Sequence, residues 1–140
     1  MVRNWQKEMK VGICVIDDDH RRLFSIVQDF EHAAAEARGE IDMPRLGAIL
    51  DKLKTYVREH FEREEHMQLE ARYDGYEENK RQHDELTRTL DKFVGKFNNG
   101  ELGEGRTATD TMKDFLGVWL GGHILKTDRK MRGRILPWAG

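Results

Sequence analysis

The sequence lacks several features that define common classes of protein. It has a single cysteine, Cys14, so no disulfide can form within the chain. Because its neighbours are apolar, we expect Cys14 to pack as a small hydrophobic residue. No apolar run approaches the roughly 20 residues that span a bilayer, and the first residues, MVRNWQKEMK, lack the apolar segment of a signal peptide. We therefore expect a soluble, cytoplasmic protein with no membrane partner.

The charge balance excludes another class. Lys and Arg number 24 and Asp and Glu number 26, so the net charge is only -2, and no basic block or stripe is present. Nucleic-acid binding depends on such a basic surface. We expect no nucleic-acid partner, and a chain of this size with a near-neutral charge is expected to be a monomer.

What the sequence does contain is helical periodicity. The two prolines and several glycine clusters divide it into four segments, each with apolar residues at i, i+3, i+4 and i+7. The predicted helices cover about 19–38, 44–70, 76–98 and 107–132. Short links favour an all-α, antiparallel up-down four-helix bundle, which we expect to form a single domain over residues 1–140. Residues 1–18 are expected to form an irregular arm whose apolar side chains cover the bundle: Trp5, Val11, Ile13 and Ile16.

The apolar stripes continue into polar residues instead of stopping. His20 precedes the stripe of the first segment, and His60 and Glu64 extend the stripe of the second. The third and fourth segments carry further candidates on the same faces: Asn79, His83 and His123. Burying such groups costs several kcal/mol for each uncompensated charge. A metal centre on the inner faces would supply the compensation.

The donor types indicate iron. His60 and Glu64 are one helical turn apart, with Cβ atoms about 5–6 Å apart, so both reach one ion or a bridged pair. Four imidazoles and two carboxylates suit iron better than magnesium or calcium, which prefer oxygen ligands. Zinc usually has four ligands, so two of these six donors would be left over. The second carboxylate, Asp128, lies about 140° around an ideal helix from His123. The two reach one centre only from the flanks of the stripe or across a local bulge.

The order of these residues resembles a known family. His…His-x-x-x-Glu…His-x-x-x-His…His-x-x-x-x-Asp is the ligand pattern of hemerythrins, and the chain looks like a bacteriohemerythrin along nearly its whole length. Beside Trp5, the segments that carry the resemblance are GICVIDDDHRRLF, HFEREEHM and VWLGGHILKTD. The first is similar to the family's Gly-Ile-x-x-Ile-Asp-x-Gln-His-x-x-Leu-Phe, with Asp19 where Gln is usual.

The resemblance implies two non-haem iron ions, bridged by an oxo or hydroxo group and by carboxylates. His20 and His60 would hold the iron that receives oxygen, and His83 and His123 the other iron. Glu64 and Asp128 would bridge the two.

One of the seven ligand positions departs from the family. The second iron usually has a third imidazole, and here that position is Asn79. Because an amide oxygen is a weak, neutral ligand, this iron would be weakly held, or water, Tyr76 or Glu78 would take the place. Asn79 is equally well read as a pocket residue that only hydrogen-bonds a bound water.

The leading functional hypothesis is reversible binding of dioxygen for storage, transport or delivery, rather than catalysis. A peroxidase or oxidase that uses the position opened by Asn79 is one alternative, and an oxygen or redox sensor or an iron-handling module is another. Two further histidines, His32 and His66, are rotated off the stripes and expected to be exposed. The charged stretch from Arg58 to Glu65 is expected to be mostly solvated, except for Glu64.

Overall fold

Four helices make up most of the described molecule. The computed structural model describes residues 12–36, 41–123 and 128–131. The helices are α1 (Cys14–Glu36), α2 (Met43–Glu70), α3 (Tyr76–Asn98) and α4 (Gly105–Gly122), followed by a short 3-10 helix, Asp128–Met131. α1 packs against α2 and α4, and α3 packs against the same two helices. The described residues contain no strand. The predicted all-α, antiparallel up-down four-helix bundle is confirmed.

The first helix begins earlier than predicted. Residues 14–18, which we placed in an irregular arm, belong to α1. The Ile13 carbonyl accepts a hydrogen bond from the Asp17 amide at 2.9 Å, and the Asp17 carboxylate accepts one from the Gly12 amide at 3.2 Å. An acidic side chain in the first turn favours a helix start there. Of the arm's apolar residues, Trp5 and Val11 lie outside the described residues.

The start of α1 also corrects the expectation for its cysteine. Ile13 and Ile16 are buried, as predicted, but Cys14 is exposed. Ile13 and Ile16 are three residues apart, so both lie on the inner face of the helix, whereas Cys14 is rotated to the outer face.

The fourth helix is shorter than predicted. Its α-helical part ends at Gly122 rather than near residue 132, and His123 lies in a π-type turn at its end. The chain is described again at Asp128, where it is wound as a 3-10 helix. The two winding modes differ from an α-helix in their turn angle, so residues on either side of this region do not follow α-helical spacing.

The apolar stripes form one main core and one small cluster. The main core runs through all four helices and includes Phe30 and Phe97, whose rings meet edge to face at 5.8 Å. The small cluster covers one end of the bundle and consists of Ile13, Ile16, Met67, Tyr73 and Met131. The polar residues described below lie between these two apolar regions.

The link between α2 and α3 is tightly packed. Gly75, directly before α3, lies against the ring of Tyr73, and a Cβ atom at position 75 would come within 2.6 Å of that ring. A larger residue at position 75 would therefore displace the Tyr73 ring from its place beside the start of α3. Among the described residues, no helix combines the length and the hydrophobicity needed to cross a membrane.

The main core should be sensitive to loss of a large side chain far from the polar residues. We expect Phe30→Ala to lower the free energy of unfolding by about 3–5 kcal/mol, because it removes a fully buried ring and leaves a cavity. Val118→Ala, at a position that is 79% exposed, should change it by no more than about 0.5 kcal/mol. Urea unfolding followed by circular dichroism, at matched metal content, measures both, and equal losses in the two variants would contradict this account of the core.

Candidate metal centre

The structure brings six of the seven predicted site positions into one cluster. The six side chains come from every helix of the bundle and from the 3-10 helix, and all are at most 2% exposed: His20, His60, Glu64, His83, His123 and Asp128. One ligand atom from each of five of them, all but His83, lies within 4.8 Å of the others. Such separations allow several of these atoms to bind the same ion.

Two carboxylates occupy the middle of the cluster. Glu64 places its Oε2 3.1 Å from His60 Nε2 and its Oε1 3.2 Å from His83 Nε2. Asp128 Oδ2 lies 2.6 Å from His20 Nε2 and 2.7 Å from His123 Nε2. Its other oxygen, Oδ1, is 3.9 Å from His83 Nε2. Glu64 therefore presents its two oxygens to different imidazoles, whereas Asp128 Oδ2 alone contacts imidazoles from α1 and from the end of α4.

The approach of His123 to Asp128 depends on local winding. Five residues on an ideal α-helix would place the two side chains about 140° apart. A π-type turn brings residues five apart to the same side of the helix, and His123 lies in such a turn. The described winding on either side, π-type at His123 and 3-10 from Asp128, departs from the α-helix, as the approach of the two side chains requires.

The charge of the cluster favours a bound cation. Burial opposes the protonated form of His83, but the nearby carboxylates of Asp128, Glu64 and Glu65 outweigh burial and raise its pKa to about 10. Burial also opposes the protonated form of His60, but the carboxylates of Glu64 and Asp128 outweigh this effect and raise the His60 pKa well above the usual value. These two imidazoles are thus drawn towards the positive form, whereas burial outweighs Asp128 at His123 and lowers its pKa. A metal ion would meet the demand for positive charge by displacing the protons.

Buried polar atoms without hydrogen bonds also favour a bound cation. Besides His20, the described part of the cluster has seven buried atoms that make no hydrogen bond: His60 Nε2, both oxygens of Glu64, His83 Nε2, both ring nitrogens of His123 and Asp128 Oδ1. Buried polar atoms without partners are rare in folded proteins. Nitrogen and carboxylate oxygen donors of this kind suit iron, so the residues present fit the group that the resemblance implies.

Asp19 anchors one of the imidazoles. Its Oδ2 lies 3.0 Å from His60 Nδ1, and it accepts hydrogen bonds from the Arg63 guanidinium at 2.8 and 2.9 Å and from the Tyr56 hydroxyl at 2.8 Å. Burial favours the neutral acid, but hydrogen bonds from His60 and Arg63 outweigh it and hold the Asp19 pKa well below its usual value. Burial and the Asp19 charge raise the pKa of Tyr56 to about 12, so its hydroxyl remains a donor.

Glu65 on α2 anchors the imidazole of His83 on α3 in the same way. Glu65 Oε2 lies 2.8 Å from His83 Nδ1, and Lys80 lies 3.3 Å from the other oxygen of Glu65. Partners of this kind fix the tautomer and ring orientation of an imidazole whose Nε2 binds a metal. We expected the stretch from Arg58 to Glu65 to be mostly solvated, and Arg58, Glu59 and Glu62 are exposed, but the Glu65 side chain is only 15% exposed and Arg63 is partly buried. Both lie on the same helix as ligands but contact residues of other helices, and sequence spacing does not reveal such contacts.

Asn79 lies beside the cluster, but its amide is already engaged. Its Oδ1 accepts a hydrogen bond of 3.1 Å from Gln68 Nε2, and both side chains are buried. The suggested substitute Glu78 is at the surface, where it pairs with Arg81 at 2.7 Å. Gln68 did not enter our prediction, although it continues the stripe of His60 and Glu64 by one further turn. His32 and His66 are exposed, as predicted.

Two surface grooves reach the imidazoles. Between α3 and α4, His123 lines a groove together with Leu86, Val118 and Trp119. Between α2 and α3, His83 and Phe61 line another. The ring of Phe61 stacks on that of His83 at 3.9 Å and meets that of His123 at 5.0 Å. Phe61 therefore covers part of the His83 and His123 rings between the grooves and the cluster.

Comparison with known proteins agrees with this geometry. Residues 11–135 match the family described as the hemerythrin HHE cation binding domain. A bacteriohemerythrin of Stenotrophomonas maltophilia is 27% identical over 89% of this chain and 76% of its own length. A bacteriohemerythrin of Methylococcus capsulatus is 31% identical over 87% of each chain. A crystal structure of wild-type hemerythrin superposes with a TM-score of 0.76 at 28% identity, covering 95% of this chain and 97% of the other. The chain therefore belongs to the hemerythrin family of HHE cation-binding domains.

Proposed function

We propose that the chain is a non-haem di-iron protein that binds dioxygen reversibly, for its storage, transport or delivery. The observation that carries the proposal is the complete burial of Glu64 and Asp128 among four imidazoles, because that donor set fits two iron ions bridged by carboxylates. The similarity to bacteriohemerythrins and to a hemerythrin crystal structure supports it.

The proposed ligand roles follow the family pattern. His20 and His60 would hold one iron, and His83 and His123 the other. Glu64 supports this division, because its two oxygens face His60 and His83 separately. The imidazoles of His20 and His60 are also close neighbours, with ring centroids 4.9 Å apart.

When bound, the ferrous ions would supply the electrons that hold dioxygen, and the protein would supply orientation and exclusion of water. Asp19 engages Nδ1 of His60, so Nε2 points into the cluster. Glu65 does the same for His83. Phe61 covers the rings of His83 and His123, and a dry pocket keeps the oxygen complex from being lost to side reactions with solvent.

A second candidate function is reduction of hydrogen peroxide to water, with protons from solvent and a pair of electrons from a small organic reductant. The observation that favours it is the hydrogen bond that Asn79 accepts from Gln68. This bond engages the amide oxygen, so the metal subsite of His83 and His123 has two imidazoles, one fewer than the family pattern gives it. A metal with a free position can act on a substrate.

Reversible oxygen binding predicts a specific optical response. We expect the protein to hold about two iron ions per chain. Mixing reduced protein with dioxygen should produce a visible absorption band that bleaches on deoxygenation. His60→Ala should lose iron and the band, whereas His66→Ala, at an exposed histidine that pairs with Glu70, should keep both. Iron analysis with absorption spectroscopy measures this, and prompt irreversible oxidation without the band would refute the carrier function.

The Asp19 network should strengthen metal binding. We expect Asp19→Asn to weaken iron retention roughly 10–100-fold, because the amide holds His60 and Arg63 less well than the carboxylate does. The matched control is Asp18→Asn, since Asp18 is exposed and pairs only weakly with Arg21 at 3.4 Å. Competition with a chelator compares the variants. If both retain iron as the parent does, Asp19 has no role in holding the ligand.

The peroxidase candidate depends on position 79. Asn79→His would supply the missing imidazole, so turnover of hydrogen peroxide with a dye reductant should fall by roughly an order of magnitude. Asn99→His introduces the same side chain at an exposed position and should leave the rate unchanged. A rate that is insensitive to Asn79→His at equal iron content would rule this candidate out.

A further inference from the structure

We propose that Gln68 and Asn79 form a buried amide pocket that holds an exchangeable water or hydroxide on the metal subsite of His83 and His123. The inference rests on the proposed di-iron function and extends it, because it gives the second metal an open position of its own.

The Gln68–Asn79 pair lies in the interface between α2 and α3, one helical turn beyond the pair formed by Glu64 and His83. Each such pair is called a layer here. α2 and α3 run in opposite directions, and Glu64 on α2 faces His83 on α3 at 3.2 Å. Gln68 follows Glu64 by one turn, Asn79 precedes His83 by one turn, and these two face each other at 3.1 Å. Adjacent layers are about 5–6 Å apart. A water bound to a metal in the first layer, with a metal–oxygen bond of about 2 Å and a hydrogen bond of about 2.8 Å, would reach about 4.8 Å towards the second layer.

The surroundings close this layer to bulk solvent. Gln68 is fully buried and Asn79 is 4% exposed. Met131, whose Sδ lies 3.1 Å from Gln68 Nε2, belongs to the apolar cluster that covers this end of the bundle. An amide in such a place needs a partner for every polar atom.

One polar atom of the Gln68–Asn79 pair has no hydrogen-bond partner among the described residues. Gln68 Oε1 is buried and makes no hydrogen bond within the described part of the chain. An unsatisfied buried carbonyl oxygen is costly, and its persistence calls for a bound group that donates to it. The metal ligands one layer away do not supply that donor, because carboxylates accept hydrogen bonds and the Nε2 atoms of the imidazoles are turned to the cluster.

The orientation of the amides defines the chemistry of the bound group. Gln68 Nε2 is directed at Asn79 Oδ1 and at Met131 Sδ, so the oxygen side of Gln68 faces the remaining space. That oxygen can only accept a hydrogen bond. The bound group must therefore carry an O–H, as water and hydroxide do. Asn79 Oδ1, which accepts the hydrogen bond from Gln68, is not a metal ligand in this arrangement.

The number of exchangeable positions tests the proposal. Oxidised, iron-loaded protein is titrated with azide and followed by calorimetry and by absorption. We expect the parent to bind roughly one more azide ion per chain than Asn79→His, in which an imidazole fills the position. The same azide count in the two proteins at equal iron content would overturn the proposal.

The role of Gln68 is tested separately. Azide has no proton to donate, so in the parent it leaves Gln68 Oε1 unpaired. Gln68→Leu removes that oxygen at similar volume, and the additional azide should bind about tenfold more tightly, with the affinity of the other azide unchanged. Gln28→Leu, on α1, is the matched control and should alter neither affinity. An unchanged affinity in Gln68→Leu would show that Gln68 does not contact the bound group.

The outcomes separate this inference from the proposed function. Iron analysis precedes every titration. A parent that binds no iron refutes the di-iron function, and this inference fails with it. A parent that holds iron and gives the visible band with dioxygen, yet binds azide at one position only, keeps the di-iron function and refutes the amide pocket.

Discussion

Burial of the Glu64 and Asp128 carboxylates among four imidazoles is the constraint on which the rest of this structure depends. Two negative groups without solvent would be strongly destabilising unless positive charge accompanies them. The imidazoles respond with raised pKa values at His60 and His83, and a metal pair meets the same demand with directed bonds. Because these side chains come from α1, α2, α3, the end of α4 and the 3-10 helix, a bound metal would join the whole bundle.

Charges outside the ligand cluster form a second, outward-facing layer. Asp19 and Glu65 each hold an Nδ1 atom of a ligand imidazole, and each is in turn paired with a cation nearer the surface, Arg63 or Lys80. The buried negative charges are therefore compensated on both sides. Since the orientation of an imidazole controls how well it binds, these pairs connect the surface of the bundle to the affinity of its centre for metal.

The two halves of the centre are unequal. The half that contains His20 and His60 is completely buried and backed by Asp19. His83 and His123 adjoin two surface grooves, and Asn79, one turn before His83, is bonded to Gln68. One pair of imidazoles thus lies beside the two grooves and the other pair lines neither of them, while all four side chains are at most 2% exposed.

The sequence by itself determined the four-helix bundle, because apolar residues at helical spacing require each helix to bury one face. Together with the family pattern, it also determined which six side chains meet. Tertiary structure alone decided the partners of Asp19, Arg63, Glu65 and Gln68, and the contact of His123 with Asp128. The physical reason is that spacing specifies which residues share a face of one helix. Contacts between helices depend on their register, and the last contact depends on a change of winding that no α-helical period predicts.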